Sequence, residues 1–192
     1  MKTTDVLSNK HVLETRYTTS RTNLLLVVAF TAINILLVLT KSDSYFLFSA
    51  YVPYVLVTAG MFVCGRYPAE YYGDEYAAME FFDTPVFVVL LVLALVLLSF
   101  YFVSWIFSKK KKSGWFIFAL VIFSLDTLVM FLFEGFALDS IIDIAFHVWV
   151  IVSLCLGINA GHKLKKMPLE EKDVLEPECT ESDEEGADSL VP

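Results

Sequence analysis

Two consecutive apolar stretches decide the fold of this chain: residues 115–133, WFIFALVIFSLDTLVMFLF, and residues 141–161, IIDIAFHVWVIVSLCLGINAG. Each has about the ~20 residues that an α-helix needs to cross the ~30 Å hydrocarbon core of a bilayer. Working outward, three further apolar stretches precede them at residues 23–40, 45–65 and 85–107. The pattern predicts an all-α fold, a multi-pass integral membrane bundle of five hydrophobic helices.

The composition agrees with this fold class. Hydrophobic residues make up 57% of the 192 residues, against about 45–50% in soluble globular domains. The formal charge of −8 comes from the C-terminal tail, because ten acids and one lysine between residues 167 and 192 contribute −9. We expect a polar N-terminal segment (1–21), a membrane domain (22–166) and a disordered acidic tail (167–192). No basic surface typical of nucleic-acid binding is present, so no nucleic-acid partner is predicted.

The second stretch, residues 45–65, carries Pro53 near its middle. Proline removes a backbone donor, and inside lipid every freed backbone group needs another partner. Two alternatives follow. The stretch either spans the membrane as a kinked helix, or it is broken and re-entrant, so that it enters and leaves on the same side.

The lysines predict the orientation of the bundle, because short loops on the cytoplasmic side are enriched in Lys and Arg. The anchoring lysines flank the third, fourth and fifth stretches: Lys109, Lys110, Lys111, Lys112, Lys163, Lys165 and Lys166. They place the C-terminus in the cytoplasm. Five full crossings then divide the 14 basic residues nine inside to five outside, whereas a re-entrant second stretch divides them twelve to two. The charge rule favours the second division, and the side of the N-terminus stays open.

Ionisable side chains inside the apolar stretches are the candidate site. A charge at the centre of a membrane helix costs about 2.5–3.5 kcal/mol on insertion scales, so such residues usually face a bundle interior. Asp143 and His147 are four residues apart and lie on one helix face, where they can pair. Asp126 lies eleven residues before Ala137 in the link and His147 ten after it. In an antiparallel hairpin these equal arms predict that Asp126 and His147 lie at similar depth and are coupled.

The remaining candidates are polar or small residues. Glu134 and Asn34 complete the predicted polar core or ion pathway. Gly157 and Gly161 form a GxxxG pattern, and Gly60 offers another small surface, so we expect close helix packing at all three. Two ligands from Asp143 and His147 are too few for a metal centre, and neither a metal nor a cofactor is predicted.

The sequence contains no HExxH, GxSxG or P-loop motif, so an enzyme is not expected. We predict a non-enzymatic accessory or partner-binding membrane component. The alternative is a small transporter or a proton- or cation-linked channel that uses the intramembrane Asp and His residues. Predicted partners are the lipid bilayer and another membrane protein or a second copy of the chain.

Three segments carry a resemblance to a known class of protein: residues 126–130 (DTLVM), 141–150 (IIDIAFHVWV) and 164–168 (LKKMP). They resemble segments of small, uncharacterised bacterial multi-pass membrane proteins. The resemblance covers about the last third of the predicted membrane domain. It implies a bacterial inner-membrane location and brings no activity with it.

Overall fold

The protein is built from α-helices. The computed structural model describes residues 2–42, 44–46, 48–73, 76, 80–110, 113–135 and 141–167, without the side chains of residues 2–7 and 110. The five α-helices are α1 Lys2–Leu39, α2 Tyr51–Val63, α3 Thr84–Phe107, α4 Gly114–Glu134 and α5 Ile141–Lys166. Short 3₁₀ helices occupy Ala69–Tyr72 and Ser108–Lys110. These ranges contain no strand, so the predicted all-α class is confirmed for the described part of the chain.

Four of the five helices are long and apolar enough to cross a membrane, namely Ser8–Leu39 within α1, α3, α4 and α5. Helix α2 is apolar but has only 13 residues. At 1.5 Å per residue it is about 20 Å long, which is shorter than a ~30 Å hydrocarbon core. A helix was predicted over residues 45–65, whereas the observed helix begins six residues later, at Tyr51.

Helix α1 is much longer than predicted, because it begins at Lys2 rather than near residue 23. Contacts with other elements support the added turns. The Tyr17 hydroxyl donates a hydrogen bond to the carbonyl of Ser108 at 2.7 Å, and its ring centroid lies 4.9 Å from that of Phe116. The segment predicted as polar is thus largely helical, and its inner face is part of the bundle. The predicted acidic tail, from residue 168 onward, lies outside the described residues.

The two ends of the bundle are chemically different. At the end we call the lysine end, α1 contacts Ser108 through Tyr17, and α5 finishes with three lysines in its last turn. At the opposite end, the tyrosine end, the amide of Phe82 donates to the carbonyl of Val63 at 2.9 Å, next to the start of α3. Helices α1 and α4 run toward the tyrosine end, and α3 and α5 run back.

We call residues 42–63 the α2 hairpin, of which residues 43 and 47 lie outside the described part of the chain. The hairpin starts and finishes at the tyrosine end. The amide of Ser42 still donates to the carbonyl of Leu37, but the amide of Ala50 donates to the Thr31 hydroxyl at 2.8 Å. The chain has therefore turned back alongside α1 by about two turns of helix. Helix α2 then returns to the tyrosine end. Of the two predicted alternatives, the broken segment has this path, because both of its ends lie at the tyrosine end of the bundle.

Close packing of α1 on α5 depends on small residues. A Cβ added at Gly157 would lie 2.7 Å from both Cβ and Oγ of Ser20 and 3.2 Å from Cε2 of Phe116. At Gly161 it would lie 2.8 Å from Oγ of Ser113 and 3.0 Å from Tyr17. The GxxxG pattern therefore packs against helices of the same chain.

We expect Gly157→Ala to lower the free energy of unfolding by roughly 1–3 kcal/mol, the usual cost of overpacking a tight interior. Ser20 cannot easily move away, because its hydroxyl donates to the carbonyl of Ser153 at 2.6 Å. Thermal unfolding in detergent measures the effect. The matched control is Gly114→Ala, since no atom lies within 4 Å of the added Cβ there. Equal losses in the two variants would contradict the packing role of Gly157.

Candidate functional site

The site is centred on Asp126 of α4, which binds the start of α2. Its Oδ2 accepts a hydrogen bond from the amide of Tyr51 at 2.9 Å, and its Oδ1 accepts one from the amide of Val52 at 2.8 Å. The residue at the N-cap position, Ala50, has no side-chain oxygen to do this. A carboxylate from another helix therefore caps α2, where it also meets the positive end of the helix dipole.

Pro53 explains why two acceptors are enough. The first N–H groups of any α-helix have no partner inside the helix. Here Tyr51 and Val52 use Asp126, while Pro53, the third residue of α2, has no N–H to satisfy. Proline is tolerated in a first helical turn for this reason. The residue that suggested a break in the second stretch thus lies at the start of its helix.

Asn34 of α1 holds the extended part of the α2 hairpin. Its Oδ1 accepts from the amide of Phe46 at 2.8 Å, and its Nδ2 donates to the carbonyl of the same residue at 2.7 Å. The Nδ2 group also lies 2.8 Å from Oγ of Ser49. Non-helical backbone is tolerated at membrane depth only where protein or water satisfies it. Asn34 and, one turn earlier, Thr31 provide such partners from a single face of α1.

His147 of α5 lies beside the carboxylate of Asp126. Its Nε2 is 3.5 Å from Oδ2, and the two side chains are only 2% and 3% exposed. The imidazole stacks on Phe123, with ring centroids 5.0 Å apart and planes 20° apart. The equal arms of the α4–α5 hairpin predicted this proximity, and the structure has it. Whether the two residues are energetically coupled stays a prediction.

The hydrogen bonds of His147 identify the nitrogen that can exchange a proton. Nδ1 lies 2.8 Å from the backbone carbonyl of Asp143, and because a carbonyl only accepts, Nδ1 carries a proton. Nε2 is buried and makes no hydrogen bond with the described residues. A second proton would therefore bind at Nε2, facing Asp126. The sequence also predicted a hydrogen bond between His147 and the Asp143 carboxylate, whereas the contact is made by the backbone carbonyl of that residue.

A group of acids and phenols lies between this pair and the tyrosine end. The Tyr51 hydroxyl hydrogen-bonds to Glu134 at the end of α4. Asp143 and Glu134 both interact electrostatically with Tyr45. Tyr45 also lines a cavity of about 570 Å³ at the tyrosine end, together with residues that include Lys41, Tyr54, Thr58 and Tyr67. Polar groups thus continue from this cavity toward His147.

Toward the lysine end the polar residues are interrupted. Val27, Phe123 and Val150, one from each of α1, α4 and α5, are all 0% exposed and belong to one apolar cluster. Beyond this layer, polar contacts resume where Nδ2 of Asn23 donates to Oγ of Ser153 at 2.7 Å. The Asp126–His147 pair is therefore separated from the lysine end by packed hydrocarbon.

The remaining predicted positions are one packing glycine and the seven anchoring lysines. Gly60 packs on α3, where an added Cβ would lie 3.2 Å from Phe87. Lys109, Lys163, Lys165 and Lys166 lie at the lysine end, whereas Lys110 is described only in its backbone and Lys111 and Lys112 lie outside the described residues. No group of three or more His, Cys, Asp and Glu side chains in the described ranges could hold a metal ion.

Sequence reasoning missed the partners of Asp126 and the role of Thr31. The amides of Tyr51 and Val52 carry no side-chain signature, so only the chain path reveals them. Two signals pointed to the site without identifying it. Thr31 and Asn34 are three residues apart on one helix face, and a proline is typical of a first helical turn.

No family model, curated protein or solved structure matches the chain.

Proposed function

We propose that this chain is an integral membrane protein that carries protons across the bilayer through a gated pathway. The pathway runs from the tyrosine-end cavity past Glu134 and Asp143 to the Asp126–His147 pair. The layer of Val27, Phe123 and Val150 closes it toward the lysine end, so a proton crosses only when the helices rearrange.

The observation that carries this proposal is a broken helix whose N-terminus faces a carboxylate at the depth where an ionisable pair is buried. Half-helices that end near the bilayer midplane form the ion and substrate sites of many transporters. Ionisable residues in membrane segments are functional candidates by default, because their cost must be offset. Asp126 and His147 are a pair of this kind, because Nε2 of His147 lies 3.5 Å from Oδ2 of Asp126. That nitrogen is buried and makes no hydrogen bond with the described residues.

The orientation that we propose places the lysine end in the cytoplasm. With four crossings and a re-entrant α2 hairpin, both chain termini are cytoplasmic, and twelve of the 14 Lys and Arg residues lie on that side. This is the distribution that the positive-inside rule favours. We further propose that the membrane is a bacterial inner membrane, on the basis of the resemblance of segments in the last third of the membrane domain.

We expect purified protein in liposomes to conduct protons when valinomycin and a potassium gradient set a membrane potential. A trapped pH-sensitive dye measures the flux. His147→Gln should slow it at least tenfold, because glutamine lacks the nitrogen that binds the second proton. We choose His147 rather than Asp126 for this test because Asp126 also holds α2 in place.

The matched control is His162→Gln, which makes the same substitution at an exposed histidine near the C-terminal end of α5, at the lysine end of the bundle. It should conduct like the unmodified protein, and the melting temperatures of all three proteins should agree. Unmodified protein that conducts no faster than empty liposomes would refute the proposal. So would a His147→Gln variant that conducts normally.

A second candidate function is a partner-binding membrane component, and the packing of α3 favours it. In the most apolar 18-residue segment of α3 only 17% is buried, compared with 44% in the corresponding segment of α1. An apolar helix with so little cover in its own chain has a wide face for lipid or for another membrane helix. Absence of flux together with a constant stoichiometric partner after mild solubilisation would support this candidate.

A further inference from the structure

We infer that Arg21, Ser108, Lys109 and Trp105 form a binding site at the lysine end for the phosphate group of an anionic phospholipid. The inference uses the membrane location proposed above but not the proton pathway. Its residues are separate from Asp126 and His147.

Two cations border one aromatic ring at this site. Cζ of Arg21 lies 5.8 Å from the centroid of the Trp105 ring, and Nζ of Lys109 lies 5.5 Å from the same centroid. Within the described ranges neither cation forms an ion pair with a carboxylate. The two charged groups are therefore at most about 11 Å apart. An anion bound between them would offset their repulsion, which is stronger at the low-dielectric edge of a membrane than in water.

Arg21 is held in a definite orientation. Its Nε donates to Oγ of Ser108 at 3.0 Å, and that hydroxyl in turn donates to the carbonyl of Trp105 at 2.7 Å. Ser108 is 0% exposed and also accepts from the Tyr17 hydroxyl through its carbonyl. Nε is engaged, and the two terminal nitrogens of the guanidinium make no hydrogen bond with the described residues. They present the paired N–H groups that bind two phosphate oxygens at once.

The depth of Arg21 matches the edge of the hydrocarbon core, from which its long side chain can reach the lipid phosphates. Thr31 contacts Ala50, immediately before the residues that Asp126 caps, so Thr31 marks the level of the buried pair. Arg21 is ten residues earlier in the same helix, which places it about 15 Å away along the helix axis. Half of a ~30 Å hydrocarbon core is the same distance. Trp105 is also typical of this level, where its ring is half in lipid and half in water.

Native mass spectrometry of the full chain in detergent tests this site. We expect the first molecule of dioleoyl phosphatidylglycerol to bind more tightly than further molecules of the same lipid. Arg21→Lys should weaken the binding of this first molecule at least fivefold. Lysine keeps the charge but loses the planar pair of donors. Lys109→Gln should weaken it by a similar factor.

The matched control is Lys163→Gln, which removes one charge in the last turn of α5, from a lysine that makes no cation–π contact with Trp105 among the described residues. We expect less than a twofold change. Equal losses for Lys163→Gln and Lys109→Gln, with none for Arg21→Lys, would overturn the proposal in favour of a diffuse basic surface. Melting temperatures equal to that of the unmodified protein show that the variants fold.

A second arm separates a lipid from free phosphate. Inorganic phosphate at about 10 mM should not displace the lipid, because it lacks the acyl chains that hold the headgroup at this depth. Displacement by inorganic phosphate alone would assign the site to a soluble anion and would overturn the lipid assignment. Binding is measured without flux, so failure here leaves the proposed proton pathway unaffected, and the reverse holds.

Discussion

Replacing Asp126 with alanine is expected to lower the free energy of unfolding by roughly 2–6 kcal/mol. The substitution leaves the amides of Tyr51 and Val52 without an acceptor, and each buried, orphaned donor costs about 1–3 kcal/mol. Water cannot easily replace the carboxylate, because Asp126 is only 4% exposed. The α2 hairpin should therefore loosen before the rest of the bundle.

Thermal unfolding in detergent gives the global loss, and hydrogen exchange at residues 51 and 52 gives the local one. The neighbouring substitution Thr127→Val is the control. Thr127 is also buried, but its hydroxyl donates to the carbonyl of Phe123 in the same helix, so its removal leaves no donor without a partner. We expect a loss below ~1.5 kcal/mol for Thr127→Val. Similar losses for the two variants would show that Asp126 does not cap α2.

Asn34→Leu is the second substitution for which we expect a large effect, a loss of about 2–4 kcal/mol. Leucine has a similar size but cannot replace the hydrogen bonds to the amide and carbonyl of Phe46 or to the Ser49 hydroxyl. Two partly buried backbone groups of residue 46 would then lack partners, at a cost of about 1–2 kcal/mol each, the lower part of the usual range for orphaned groups. The start of the α2 hairpin should detach from α1.

The measurement is again thermal unfolding, together with proteolysis or hydrogen exchange of residues 44–50. Thr22→Val is a suitable control on the same helix, because the Thr22 hydroxyl is exposed and donates only to the carbonyl of Thr18. Its expected loss is within ~0.5 kcal/mol. If Asn34→Leu unfolds like the unmodified protein and residue 46 exchanges no faster, the extended stretch has another support.

The two residues act on opposite ends of the same short segment, so their effects are predicted to combine. Asn34 fixes the chain as it descends beside α1, and Asp126 fixes it where α2 begins. Once either anchor is lost, the other has less structure to stabilise. The loss in the double variant should therefore be smaller than the sum of the single losses, as is usual for residues that are coupled through one backbone segment.

Several features of this protein could be predicted from the sequence because they depend on composition and spacing. Apolar runs of about 20 residues predict helices wherever they occur, and α3, α4 and α5 start and end close to the expected residues, except that α5 continues to Lys166. The similar depth of Asp126 and His147 follows from counting along two antiparallel helices. Asn34 is identifiable as a buried polar residue by its place in an apolar run.

Only the tertiary structure decided the path of residues 42–63 and the partners of the buried carboxylate. Hydropathy measures how apolar a stretch is, and a 21-residue apolar run has the same hydropathy whether it crosses a bilayer or returns to the side where it entered. The return is possible because Thr31, Asn34 and Asp126, on two other helices, satisfy backbone groups that lipid could not. Those hydrogen bonds join residues up to 75 positions apart in the chain. Local patterns cannot encode them, because each donor or acceptor acquires its partner only when the helices pack.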